Sequence, residues 1–205
     1  MIQIATIEAP LNRPSLLGPA VALVRRALAL GLLRDRGRVE RLDIELLRGI
    51  AREASAAGIG QNAALALLEG ASPARLGALI ERLDEALIES PLPEREIAEL
   101  LRVFDLEQLA GLVGTSEVSL RRYAAGSRTV PDSVAARLHW LALTAADLAG
   151  AYNALGIRRW FERPRSQLDG RAPRELLGRD WSPDDDRVRH VRQLAAALAG
   201  TGGAT

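Results

Sequence analysis

Asp105-Leu-Glu-Gln-Leu-Ala-Gly-Leu-Val-Gly-Thr-Ser-Glu-Val-Ser-Leu-Arg-Arg-Tyr-Ala-Ala-Gly126 is the stretch from which the fold is read. It describes two short helices crossing through a tight turn. Asp105 followed three residues on by Gln108 has the spacing of a capping box, in which each side chain satisfies a backbone N–H at the other's position. Ala110 is small where a second helix must approach, and Gly114 stands where the backbone needs a positive φ to leave the first helix. Leu109, Val113, Val118, Leu120 and Tyr123 are expected to face inward and lock the crossing, and Gly126 to end the second helix. That leaves Ser116, Glu117, Ser119, Arg121 and Arg122 on the outer face, with Arg128 and Thr129 just beyond the helix. A recognition helix offers its N-terminal residues to base edges and its basic residues to phosphates, so these are the candidate DNA-binding positions. Asp105, Glu107 and Glu117 balance three Arg over residues 105–131, so the local charge is zero. About three phosphate contacts per subunit give weak, salt-sensitive binding, and a homo-oligomer, dimer or higher, is therefore expected.

Outward from this stretch the chain reads as helical, and the expected class is all-α. Three domains are anticipated: an N-terminal helical domain of unknown role over 1–92, a helix-turn-helix domain over 93–152 and a small C-terminal helical domain over 153–205. Ile2, Ile4 and Thr6 alternate with Gln3 and Ala5, enough for one short edge strand. Pro10, Pro14 and Pro19 break regular structure, after which Val21, Val24, Leu28 and Leu32 predict a helix over about 19–33. Val39, Leu42, Leu46 and Ile50 predict another over about 39–57, stopped by Gly58. Helices follow over 61–69 and, from the Ser72-Pro73 cap, to about 89. Pro91 and Pro93 mark the best domain boundary. Beyond it Ile97, Leu100, Leu101 and Phe104 line one helix, and three more are expected at about 105–113, 116–125 and 132–152. A last helix opens at Ser182-Pro183 with Asp184, Asp185 and Asp186 in its first turn, where carboxylates complement the dipole. The tail from Gly200 to Thr205 is too small and polar to pack.

Laid on Leu109–Tyr123, the segment Leu65–Leu79 has six identities in fifteen positions. Glu69 replaces the apolar Val113, and the outer face (Pro73, Ala74, Gly77, Ala78) is unable to hydrogen-bond bases well. The segment is read as a degenerate copy or a coincidence, suited to packing or dimerisation.

Composition bounds the rest. A chain of 205 residues holds one large domain or two small ones at roughly 150 residues each. Hydrophobic residues make up 48% and charged ones 26%, the balance of a globular chain and too apolar for intrinsic disorder. No apolar run approaches the ~18 residues of a membrane span and no basic segment opens the chain, so a cytoplasmic protein is expected. The lack of cysteine excludes disulfides, thiolate nucleophiles and cysteine-ligated zinc. All 27 basic residues are Arg, and the net charge of +1 shows no global basicity toward nucleic acid or membrane. All aromatics (Phe104, Tyr123, Trp140, Tyr152, Trp160, Phe161 and Trp181) lie beyond residue 103, so the first half builds its core from aliphatic side chains. His139, beside Trp140, is read as a partly buried structural histidine, and His190 as a helical pair with Asp186. Neighbouring helical aspartates point in different directions and make a poor metal site, and no phosphate-binding glycine loop is present. No catalytic residue, metal or cofactor is expected, and the enzyme class is set aside.

A second stretch carries its own pattern: Trp160-Phe-Glu-Arg-Pro-Arg-Ser-Gln-Leu-Asp-Gly-Arg-Ala-Pro-Arg-Glu-Leu-Leu177. Trp160, Phe161 and Leu168 are apolar anchors around a proline break, Leu168-Asp-Gly170 is a turn, and Pro173 starts a short helix. By itself this reads as a small helical subdomain folded back on the helix at 132–152. The two-helix stretch, down to the Gly-Ser-Arg-Thr-Val-Pro that follows it, resembles the Xre/phage-repressor helix-turn-helix. With the second stretch after it, the order resembles the MbcA/ParS/Xre antitoxin family, whose toxin-binding domain has an aromatic, a Leu-x-Gly-x-x-Pro-x-x-Leu-Leu core and a terminal helix. Leu168, Gly170, Pro173, Leu176 and Leu177 match the core, and Val188, Val191, Leu194 and Leu198 the helix.

The resemblance covers about residues 95–200. It implies a cognate RES-domain toxin that degrades NAD, a C-terminal region that covers the toxin's active-site entrance, and repression of the chain's own operon at operator DNA. The toxin-binding positions it implies are Trp160, Phe161, Leu168, Arg171, Pro173, Arg174, Leu176, Leu177, Arg189 and Arg192, with the Arg residues matched to toxin carboxylates or an anionic-ligand pocket. The first 90 residues depart from the family pattern, which leaves a standalone helix-turn-helix transcriptional regulator as the alternative.

Overall fold

The computed structural model describes residues 4–33 and 39–201. Ile2 and Gln3 of the expected edge strand, and residues 202–205 of the tail, lie outside the described residues. Helix dominates, with eleven α-helices and a two-stranded sheet among the described residues. The chain divides into two compact units that meet in sequence at Pro91 and Leu92.

The first unit holds β1 (Thr6–Ile7), α1 (Pro14–Ala29), β2 (Arg41–Leu42), α2 (Ile44–Ala56), α3 (Gln61–Glu69) and α4 (Pro73–Glu89). Helix α1 begins at Pro14, not after Pro19, which lies inside it. Pro14 takes the first helical position, where its missing N–H costs nothing, and Pro19 forfeits a single intrahelical bond. Leu16, Ala20, Leu23, Val24 and Ala27 are buried on the face that packs against α4, and this burial outweighs the missing bond. The stretch 39–42, expected as helix, is extended. Asp43 is the N-cap of α2, its carboxylate accepting from the Leu46 N–H at 2.8 Å, so the helix starts only at Ile44. The residues before the cap are left to pair: Arg41 and Leu42 run parallel to Thr6 and Ile7.

The core of this unit is aliphatic, with Leu23, Leu47, Ile50, Ile80, Leu83 and Leu87 sealed from solvent. Arg26 and Asp84 form an ion pair between α1 and α4. Burial is shared between Leu65–Leu79 and Leu109–Tyr123 only over the second helix of each pair, where Leu76 and Leu79, like Leu120 and Tyr123, are buried and Ser72, like Ser116, is exposed; the first helices differ. Leu65 is half exposed and α3 buries Ala63, Ala64 and Leu67, whereas the aligned Leu109 is fully buried.

The second unit holds α5 (Pro93–Leu100), α6 (Leu106–Val113), α7 (Glu117–Ala124), α8 (Asp132–Leu148), α9 (Ala154–Glu162), a 3-10 turn (Ser166–Leu168), α10 (Pro173–Leu176) and α11 (Asp186–Thr201). Helix α8 is its axis. Twelve of its seventeen residues are buried, because α5, α6 and α11 pack around it. The described residues beyond 152 thus share a core with the helices before them. Trp140 meets Trp181 edge-on at 5.1 Å, and Phe161 touches both Phe104 and Trp160 at 5.5 and 5.2 Å. These contacts explain why the aromatics cluster in this half.

Gly156 lies inside α9, and a Cβ there would come within 2.9 Å of the Tyr152 Cβ. It is a close-approach glycine, and Asn153 caps the helix by accepting from the Gly156 N–H at 2.9 Å. Helix α11 starts at Asp186, with Asp184 and Asp185 ahead of it; the Asp185 carboxylate accepts from the Ser182 N–H at 2.8 Å. His190 does not pair with Asp186, which binds Arg189; its Nε2 lies 3.0 Å from the Gln167 carbonyl oxygen. His139 is buried, as its reading as a structural histidine requires. Its Nδ1 lies 2.6 Å from Oε1 of Glu96, which is fully buried and also accepts from the Leu92 N–H. Among the described residues no helix is long and apolar enough to cross a membrane, and no group of His, Asp and Glu is placed to hold a metal ion.

Candidate functional site

Local chemistry shapes α6 and α7. Asp105 Oδ1 accepts from the Gln108 N–H at 2.7 Å and Gln108 Oε1 accepts from the Asp105 N–H at 3.2 Å, which completes the capping box. Gly114 ends α6 with φ at +70°, the left-handed region that a Cβ disfavours. Ser116 then caps α7, its hydroxyl accepting from the Ser119 N–H at 3.1 Å. Leu120 and Tyr123 are buried and fix which face of α7 turns inward.

Val118 does not join them. It is 57% exposed, a departure from its expected inward placement. The reason is angular: at 100° per residue it stands about 200° around the helix from Leu120. Ser116, Arg121, Arg122, Arg128 and Thr129 are also exposed, while Glu117 and Ser119 are half-buried. Arg121 pairs with Glu117 at 3.4 Å, and the Arg128 guanidinium sits 5.7 Å over the Tyr123 ring. Arg122 makes no ion pair with a described residue. The exposed surface of α7 therefore combines one neutralised and one unmatched guanidinium with serine hydroxyls and a single valine.

The positions read from the C-terminal stretch fall into two groups. Trp160, Phe161, Leu168, Pro173 and Leu177 are buried and Leu176 is half-buried, so these side chains hold the segment together. Arg171, Arg174 and Arg189 are exposed, and Arg192 is half-buried. Arg189 is tied to its own helix end, bonding the Asp184 carbonyl and the Asp186 carboxylate. Arg171 donates to the Glu175 carbonyl at 3.1 Å. Arg165, placed 4.4 Å over the Trp160 ring, has its guanidinium pushed below the ordinary value by burial, with Arg163 adding to the effect and Tyr152 opposing it. Arg158 and Arg174 share an open cleft of about 540 Å³ between α6, α9 and α10, floored by Phe104, Leu112 and Leu177.

One connection has no counterpart in the sequence expectations. The buried Arg137 donates from Nε to the Trp181 carbonyl at 2.7 Å, and from Nη1 to the carbonyls of Arg179 at 2.9 Å and Val113 at 3.2 Å. The Trp181 indole N–H donates to the Leu112 carbonyl at 2.7 Å. Both donors thus satisfy carbonyls left open at the end of α6, a task usually performed by local capping groups. A signal was available: Arg137 lies in the same stripe as Val134, Leu138 and Leu141, and a cation there needs buried acceptors. Trp181 and Arg137 thereby bind the 179–181 segment to the end of the helix that precedes α7. Comparison of the chain with protein-family models, with curated proteins and with solved structures finds no match.

Proposed function

We propose that this chain is a DNA-binding antitoxin, in which α7 lies in the major groove of operator DNA and the C-terminal segment of the same unit covers the active-site entrance of a cognate RES-domain, NAD-degrading toxin. The observation that carries the reading is the outer face of α7. It holds exposed Ser116, Arg121 and Arg122 on a helix capped at its start and anchored by Leu120 and Tyr123. Such a face suits base edges and phosphates, and α6 supplies the crossing helix. The toxin assignment draws on the order of the two stretches, and a fully functional operator complex on an assembly of several copies. A regulator without a toxin partner is the second reading, favoured by the separate first unit, which the family resemblance does not cover.

Two experiments test it. In a mobility-shift titration with DNA from upstream of the gene, R121A/R122A should weaken binding. The slope of log affinity against log salt should become shallower by about 0.9 for each phosphate that the variant no longer neutralises. Unchanged affinity and slope would remove the DNA role. For the toxin, truncation before Trp160 is a poor test, because it removes Trp160, Phe161 and Trp181 from the core. Arg171 and Arg174 are exposed, and reversing both to Glu leaves the packing intact. Co-expression with the neighbouring toxin should rescue growth with the parent chain and fail with R171E/R174E. Full rescue by the reversed variant would remove these arginines from the toxin interface.

A further inference from the structure

Val118 is the most exposed of the large hydrophobic side chains among the described residues. Its surroundings are not those of a protein-binding patch. Exposed Ser116, Arg121 and Arg122 share its helix, whereas the centre of a protein interface is depleted of charge and rich in aromatic area. The polar neighbours are also largely occupied with one another. The Ser116 hydroxyl donates to the Ser119 hydroxyl at 3.0 Å, and Glu117 holds Arg121. What remains unmatched among the described residues is an apolar branched group, stiff about its first side-chain torsion, and the guanidinium of Arg122 four residues on and therefore on the same face. A duplex presents one apolar group in its major groove, the C5-methyl of thymine, beside the O6 and N7 acceptors of guanine and the phosphate oxygens.

We infer that Val118 is a specificity-determining residue that reads a thymine C5-methyl group, while Arg122 bonds a neighbouring guanine or phosphate. This rests on the DNA-binding reading of α7 and adds the base that the helix selects. Sealing one methyl from water is worth about a fourfold change in affinity.

The full chain is used to select a duplex from a random pool, and each thymine of that duplex is then replaced singly by deoxyuridine, which lacks only the methyl. At one or more positions the exchange should weaken binding about fourfold. V118A, whose side chain is exposed and whose circular dichroism should match the parent, should bind the thymine duplex with the same loss and be indifferent to uracil at that position. Indifference of the parent chain to uracil everywhere overturns the inference, as does an unchanged thymine preference in V118A. In both cases the DNA-binding reading survives, because a duplex was selected. If no duplex is selected, the DNA-binding reading falls and takes this inference with it. If V118A binds the duplex normally but captures less of the co-expressed toxin, Val118 belongs to a protein interface and the inference is overturned.

Discussion

Replacing Gly114 with alanine should destabilise the second unit by about 4 kcal/mol, through a left-handed backbone that carries a Cβ and a direct overlap. The φ of +70° is the smaller part. The added Cβ would stand 2.1 Å from the Arg179 carbonyl oxygen and 2.8 Å from Arg137 Nη1, so the 179–181 segment would have to move. Gly126 separates the two causes. It has a similar φ of +64° but nothing within 4 Å of its Cβ position, and alanine there should cost about 1 kcal/mol. Urea unfolding followed by tryptophan fluorescence reads the right part of the chain, because Trp140, Trp160 and Trp181 all belong to the second unit. Equal losses for the two variants would mean that the close approach to Arg179 carries no weight.

The second large effect is expected at Arg137. Methionine there keeps much of the volume but takes a donor from the carbonyls of Trp181, Arg179 and Val113 together. Leaving buried acceptors unpaired is the expensive half of any hydrogen-bond change, and a loss of about 3 kcal/mol is expected in the same urea experiment. Lysine should recover only part of it, since one ammonium lacks the planar fork that reaches three carbonyls. G114A and R137M both act on the Arg179 carbonyl, so the double variant should lose less than the sum of the two. Strict additivity would show that they act on separate parts of the unit.

Both predictions concern residues outside the α7 face, yet they bear on it. The end of α6 is completed by Arg137 and Trp181, and the turn from α6 into α7 starts at that end. A variant that releases the 179–181 segment should therefore disturb the α6–α7 pair along with the C-terminal segment. Of this arrangement, the pair and its turn were legible in the sequence. The link between the pair and the C-terminal segment was not, because Gly114 shows its need for a positive φ but not the carbonyl above it. The outward face of α7 was legible apart from Val118. The inward placement expected of it followed from its being apolar, whereas Leu120 and Tyr123 had already claimed the inner face.

What the sequence alone determined is local. Pro73 at the first position of its helix, where Ser72 makes no side-chain cap, and Asp105 with Gln108, Gly114, Ser116 and Gly126 start and stop helices within one turn of where they stand, since such groups act on backbone no more than a few residues away. The aliphatic first half and the aromatic second half were likewise plain from composition, and they coincide with the two compact units. Tertiary structure decided the rest. Residues 41–42 became a strand because Thr6 and Ile7 were there to pair with them, and Glu96 could be buried because His139 and the Leu92 N–H meet it. Arg137 reaches 44 residues to Trp181, which itself reaches 69 residues back to Leu112. Contacts of that span leave no periodic trace along the chain, because each joins surfaces that meet only after the helices have packed.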